Sequence, residues 1–201
     1  IYSIPITVFC VVGIMNAFNM IDGINGLCSG CAMVALMFMG FFSGLIYDSM
    51  LVLIIGSMIG FIIFNLGVFG KQRGVFLGDS GSNMLGFAVA FICIEYSQNI
   101  NHPSYINPVT ALWLVAIPLI DCVVVMLSRL LNGIMPFRAG RDHLHHKLLN
   151  IGFKPKKILL IMIFVSAALA TVGFLIELNY DDKEFVSFYT FLSFALFYYL
   201  L

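Results

Sequence analysis

The sequence predicts an all-α, polytopic membrane helix bundle of about seven transmembrane helices. Three observations carry that expectation. Of the 201 residues 61% are hydrophobic and only 10% charged, with a mean hydropathy of +1.04, which is more apolar surface than a soluble domain of this length can bury. The apolar residues gather into seven stretches, each spanning or nearly spanning a hydrocarbon core of roughly 30 Å. The charged residues fall mostly in the connections, where they sort by sign.

The stretches lie at about 1–17, 28–46, 51–69, 82–97, 109–130, 157–177 and 185–201, forming one integral membrane domain over 1–201. The first runs almost unbroken from Ile1 to Phe18 and stops at NMIDGINGLCSG, whose CSG opens the second. The fourth follows directly on GDSGS, and the fifth contains Pro118 and, three residues later, Asp121. An acid inside an apolar span is costly, so Asp121 is expected to face the bundle interior and accept hydrogen bonds or stay protonated, in a structural role. Ile1 is not an initiator methionine, and the outer stretches have no polar flanks, so the chain reads as part of something longer; no cleavable signal peptide is found. Cys10, Cys28, Cys31, Cys93 and Cys122 sit mostly in apolar stretches, and the CxxC of Cys28 and Cys31 has no second pair beside it, so these read as inert small hydrophobes.

Alternating helices put the connections at about 18–27, 70–81 and 131–156 on one side. Lys71, Arg73, Arg138, Arg141, Lys147, Lys154, Lys156 and Lys157 lie there, with Arg129 at its edge; only Lys183 lies opposite. Asp48, Glu95, Glu177, Asp181, Asp182 and Glu184 crowd the other side. The positive-inside rule makes the first side cytoplasmic. The three unusual polar clusters all lie on it, which points to one composite site.

In NAFNMIDGINGL, Asn16, Asn19 and Asp22 recur every third residue, so a continued helix would line them along one face. Asn and Asp offer oxygen ligands to a hard cation and hydrogen bonds to a base or sugar; shared helix capping is the plainer reading. In VFLGDSGSNMLG the GDSG tetrapeptide resembles a serine-protease motif, but no strand surrounds it. Asp79 and Ser80 instead open a helix, where free N–H groups favour phosphate and Asp79 could hold a divalent cation; an ordinary N-cap is the alternative. In PFRAGRDHLHHKLLNIGF, Leu144, Leu148 and Ile151 predict a short amphipathic helix on which His143 and His146 share a face. HxHH lacks the spacing of the common helical zinc site, so Arg138, Arg141, Lys147 and the histidines fit a phosphate-rich ligand better, or simply lipid headgroups.

In order and spacing, NAFNMIDGINGL, NLGVFGKQRGVFLGDSGSNMLGF, NPVTALWLVAIPLID and PFRAGRDHLHHKLL together closely resemble the polyprenyl-phosphate N-acetylhexosamine-1-phosphate transferases, glycosyltransferase family 4. The likeness covers essentially the whole chain and is strongest to the bacterial members that act on GlcNAc. It implies transfer of GlcNAc 1-phosphate from UDP-GlcNAc to undecaprenyl phosphate with release of UMP, opening a cell-surface polysaccharide such as O-antigen. It further implies a bacterial inner-membrane protein whose site faces the cytoplasm. The implied cofactor is Mg²⁺, with Mn²⁺ a possible substitute. The implied partners are a UDP-sugar, the polyprenyl phosphate and the bilayer, with no nucleic acid and with the oligomeric state left open.

By the same resemblance, Asn19 and Asp79 would ligate the metal and Phe76 would stack on uracil. Asn65 and Asp22 would contact the nucleotide, with Asp22 counted among the catalytic residues. Arg141, His143, His145 and His146 would grip diphosphate and sugar. Asn25 stands where the family commonly has a second Asp, a change expected to alter substrate contacts without ending activity. The family also has about four further N-terminal helices and a cytoplasmic pair of aspartates. Asp181 and Asp182 look like that pair but fall on the opposite side. The isolated 201 residues are therefore expected to have little activity, and a longer protein containing them to be active. A sister transferase using another UDP-N-acetylhexosamine or UDP-MurNAc-pentapeptide, and a transporter lined by Asp121 and Pro118, are the alternatives.

Overall fold

A computed structural model describes residues 3–43, 48–70, 74–98, 106–138, 140–179 and 183–200. Lys71, Arg73, Asp181 and Asp182 lie outside the described residues, as do the other positions between those segments. Among the described residues all regular structure is helical. The helices are α1 (Ser3–Ile21), α2 (Leu27–Ser43), α3 (Ser49–Asn65), α4 (Gly78–Gln98), α5 (Pro108–Leu114), α6 (Ala116–Leu131), α7 (Leu144–Asn150), α8 (Pro155–Asn179) and α9 (Lys183–Leu200).

Each apolar stretch of the sequence forms one helix, except the fifth. By length and apolarity α1 and α8 could each cross a membrane, and α5 with α6 would make a third crossing if the pair is one span. That pair corrects the expected single helix over about 109–130, since it breaks at Val115 and bends by 85°. Pro118 supplies the reason. Its ring cannot sit beside the carbonyl of Leu114, four residues back, and it lacks the N–H that a continuous helix would use. Placed third in α6, it leaves unmade only a bond that the new helix start would lack anyway.

Packing centres on α1, which lies against α4 and α6, while α2 is wrapped by α8, α4 and α3. Contact between α1 and α4 depends on Gly86, because a Cβ there would come within 2.7 Å of the Met15 Cα. Phe18, Ile21, Leu27, Leu36, Val89, Trp113 and Ile158 are buried in the core that these helices share. Cys28, Cys31, Cys93 and Cys122 are buried free thiols, and Cys10 is exposed.

Polar clips join the helices away from the three clusters. Asp48 caps α3 through the Leu51 N–H at 3.0 Å and also accepts the Tyr96 hydroxyl. Asn107 and Thr110, at the start of α5, donate to Glu177 of α8. Trp113 donates its indole N–H to Ser187 of α9 at 2.8 Å and packs edge-on against Phe191. These clips leave the opposite end of the bundle to the connections that carry the three clusters.

Candidate functional site

Helix α1 stops at Ile21, so Asp22 lies in the turn beyond it instead of continuing a helical face with Asn16 and Asn19. Asn16 turns back on its own helix and donates to the Val12 carbonyl. Asn19 reaches across to α4. Its amide donates to Ser82 Oγ at 2.9 Å and lies 3.4 Å from Asp79 Oδ1. Asp79 sits in the first turn of α4 and is exposed, while Ser82, one turn further on, is buried. Burial pushes the Asp22 carboxyl above its ordinary range, and the negative charge of Asp79 adds to the rise. Ser82 is absent from the sequence-predicted set, although its position three residues after Asp79 is the signal that could have found it.

Asn65, the last residue of α3, is buried and donates to the Val75 carbonyl at 2.8 Å. That bond fixes the short segment 74–77 leading into α4 and leaves the neighbouring Phe76 ring 80% exposed, open for stacking. Asn25 is exposed in the turn between α1 and α2.

The histidine segment is not arranged on one helical face. His143 precedes α7 at its N-cap, so the expected sharing of a face by His143 and His146 gives way to a cluster of rings. His143 and His145 stack 6.0 Å apart and His145 and His146 lie 4.1 Å apart. His143 Nδ1 is 2.8 Å from Asp121 Oδ2, while Asp121 Oδ1 accepts the Leu144 N–H at 2.9 Å and the Tyr198 hydroxyl at 2.6 Å. Asp121 is thus turned inward and fully hydrogen-bonded, as an acid inside an apolar helix requires.

His145 is fully buried against Gly23, and neither ring nitrogen has a hydrogen-bond partner among the described residues. Burial lowers its pKa to about 4, with His146 and His143 adding to the shift and Asp121 opposing it, so the ring is neutral at neutral pH. Burial also lowers the pKa of His146, with His143 and Arg141 adding to it.

Arg129, near the end of α6, is buried although charged. It donates to Asp142 Oδ2 at 2.9–3.0 Å and to the carbonyls of Pro136 and Arg138, which folds the basic connection back onto the bundle. Sequence reasoning placed Arg129 only at the edge of that connection; three acceptors within thirteen residues of it are visible only once the chain turns. Arg141 is exposed beside this staple.

Asn19, Asp22, Arg138, His143, His145 and His146, among others, line an open cavity of about 330 Å³. Asp79 adjoins it through Asn19. The two ends of the site have different chemistry. One offers carboxylate, amide and hydroxyl oxygens, which suit a hard cation; the other offers guanidinium and imidazole, which suit phosphate. Among the described residues no three His, Cys, Asp or Glu side chains gather as a candidate metal site. A cation here would draw on two or three protein oxygens and fill its remaining positions from ligand and water, as Mg²⁺ commonly does.

The glycosyl transferase family 4 profile matches residues 1–97. The undecaprenyl-phosphate alpha-N-acetylglucosaminyl 1-phosphate transferase of Escherichia coli K12 is 38% identical over 191 residues, which is 93% of this chain and 52% of that protein. The proteins of the same name from Yersinia pestis and Haemophilus influenzae are 39% and 41% identical, over 86% and 68% of this chain and 48% and 39% of their own. The chain therefore spans about half the length of the curated relatives it matches. It belongs to glycosyl transferase family 4.

Proposed function

We propose that this chain forms the nucleotide- and diphosphate-binding half of a membrane phosphoglycosyl transferase. The reaction is transfer of GlcNAc 1-phosphate from UDP-GlcNAc to undecaprenyl phosphate, with release of UMP. It takes place at the cytoplasmic face of a bacterial inner membrane as the first membrane step of a cell-surface polysaccharide. The observation that carries this reading is the cavity in which Asn19 and Asp22 meet the basic histidine segment, with Asp79 of α4 against Asn19. The names of the relatives support it.

In the reaction an oxygen of the lipid phosphate bonds to the β-phosphorus of the nucleotide, and the bond from that phosphorus to the bridging oxygen breaks. UMP leaves with the electron pair. Two anions must approach each other, so positioning and charge neutralisation supply most of the rate. Arg138, Arg141 and the histidines hold the diphosphate, and the neutral His145 gives it a hydrogen bond from a ring otherwise unpaired. Phe76 stacks on the base and Asn65 holds the Phe76 segment in place. Asp22 sits beside the acceptor and nucleotide phosphates. Asn19 and Asp79 would hold Mg²⁺, or Mn²⁺ in its place, and the ion would supply positive charge to offset that of the diphosphate. The two side chains lie side by side, with the Asn19 NH₂ 3.4 Å from Asp79 Oδ1, so a turn of the Asn19 amide would bring its oxygen beside the carboxylate to face that ion. No covalent serine or cysteine is required, which agrees with the buried thiols.

The test uses the full-length protein that contains this chain, in membranes supplied with undecaprenyl phosphate. UMP release should require UDP-GlcNAc and Mg²⁺, exceed that from other UDP-N-acetylhexosamines, and disappear in Asp79→Asn. Substrate flux across the membrane without UMP release would overturn the reading.

A further inference from the structure

We propose that Asp121 and Tyr198 are positioning residues that fix the tautomer and place of His143, coupling the last helix, α9, to the site. The inference rests on the transferase reading for its consequence in catalysis, though not for its geometry. Asp121 uses both oxygens. Oδ2 faces His143 Nδ1 at 2.8 Å, and Oδ1 takes the Leu144 backbone N–H and the Tyr198 phenol.

Each bond has a separate consequence. Leu144 is the first residue of α7, whose N-cap His143 makes no side-chain capping bond, so a carboxylate from α6 satisfies an N–H that the helix start leaves open. Seven residues are too few to hold a helix by themselves, and this anchor therefore sets where α7 begins. A carboxylate can only accept. In the neutral ring the proton must then lie on Nδ1, which leaves the lone pair on Nε2. Tyr198 pins Oδ1 from the far side, which keeps Oδ2 directed at the histidine. His143 in turn lines the cavity with Asn19 and Asp22.

This arrangement makes Asp121→Asn more informative than a simple deletion. Leu144 N–H and Tyr198 O–H both donate to the oxygen at Oδ1, so an asparagine would keep its carbonyl there. Its NH₂ would then face His143 Nδ1 and force the proton to Nε2. The side chain would have nearly the same shape and the opposite tautomer.

Two measurements on the full-length protein test this. In ¹⁵N-histidine-labelled protein, the wild type should show His143 protonated on Nδ1 and Asp121→Asn should show it on Nε2; an unchanged tautomer overturns the proposal whatever reaction the protein performs. In UMP-release assays, Asp121→Asn should lower kcat by about 10- to 100-fold, the usual cost of losing a group that orients a functional imidazole, with the KM for UDP-GlcNAc nearly unchanged. Tyr198→Phe, which keeps the packing, should give a smaller loss in kcat. Because both act through His143, adding Asp121→Asn to His143→Ala should cost nothing further; independent, additive losses would overturn the proposal. Absence of UMP release from the wild type would instead defeat the transferase reading and leave the tautomer measurement to decide this one.

Discussion

Gly23 and His145 occupy the same small space: a Cβ on residue 23 would overlap the imidazole Nε2 and come within 2.8 Å of its Cδ2. The glycine makes room for a ring that is fully buried and carries the third cluster against the first. Gly23→Ala should therefore displace His145 from the cavity. Overpacking of this kind costs about 1–3 kcal/mol, so the protein should still fold. The transfer rate should fall at least as far as in His145→Ala. Equal UMP release by Gly23→Ala and wild type would show that the close approach is dispensable.

The depressed His145 pKa makes stability sensitive to acid. In the folded protein the ring titrates at about 4, against an ordinary value of 6.5, so between those values the unfolded chain binds more protons. Stability contributed by this group is then full above about pH 6.5 and is lost as pH falls toward 4. Thermal melts of wild type and His145→Gln across that window should converge at the acid end. A parallel pair of curves would count against a neutral, buried His145.

Arg129 and Asp142 form an unequal pair, since the arginine side chain is 6% exposed and the aspartate 59%. Removing the arginine leaves a carboxylate that water can reach; removing the aspartate leaves a buried guanidinium with only two carbonyl partners. Asp142→Ala should therefore destabilise more than Arg129→Met, by up to about 3–5 kcal/mol, the cost of stranding a buried charge. Denaturant melts of the two variants, compared in the same detergent, give the order. The reverse order would mean that Arg129 is held mainly by the Pro136 and Arg138 carbonyls.

The sequence made the helices and the three clusters legible because apolar length and sidedness are local properties, counted along the chain. Pro118 already marked the bend of α5 against α6, but the mostly apolar stretch at about 109–130 outweighed it. The pairing of Asp121 with His143 spans 22 residues and that with Tyr198 spans 77, distances at which no residue spacing reports contact. Ser82 and Gly23 were hidden for a related reason. A hydroxyl in a helix and a glycine in a turn have ordinary local explanations, and only the neighbour from another element gives them a further task.

Asn65 and Phe76 make the last prediction, because the structure divides their work. The Asn65 amide is buried and spent on the Val75 carbonyl, whereas the Phe76 ring is 80% exposed. If the ring stacks on uracil, Phe76→Ala should weaken UMP binding by about 1–3 kcal/mol, the usual worth of one aromatic–base stack. Asn65→Ala removes no stacking surface. It frees the 74–77 segment, and so should raise the KM for UDP-GlcNAc through a less ordered Phe76 while leaving kcat near its wild-type value. Adding Asn65→Ala to Phe76→Ala should then weaken UMP binding little further, since the segment would have lost the ring it positions. Isothermal titration of UMP into the full-length protein and its three variants separates the cases. Independent losses would place Asn65 in direct contact with the nucleotide.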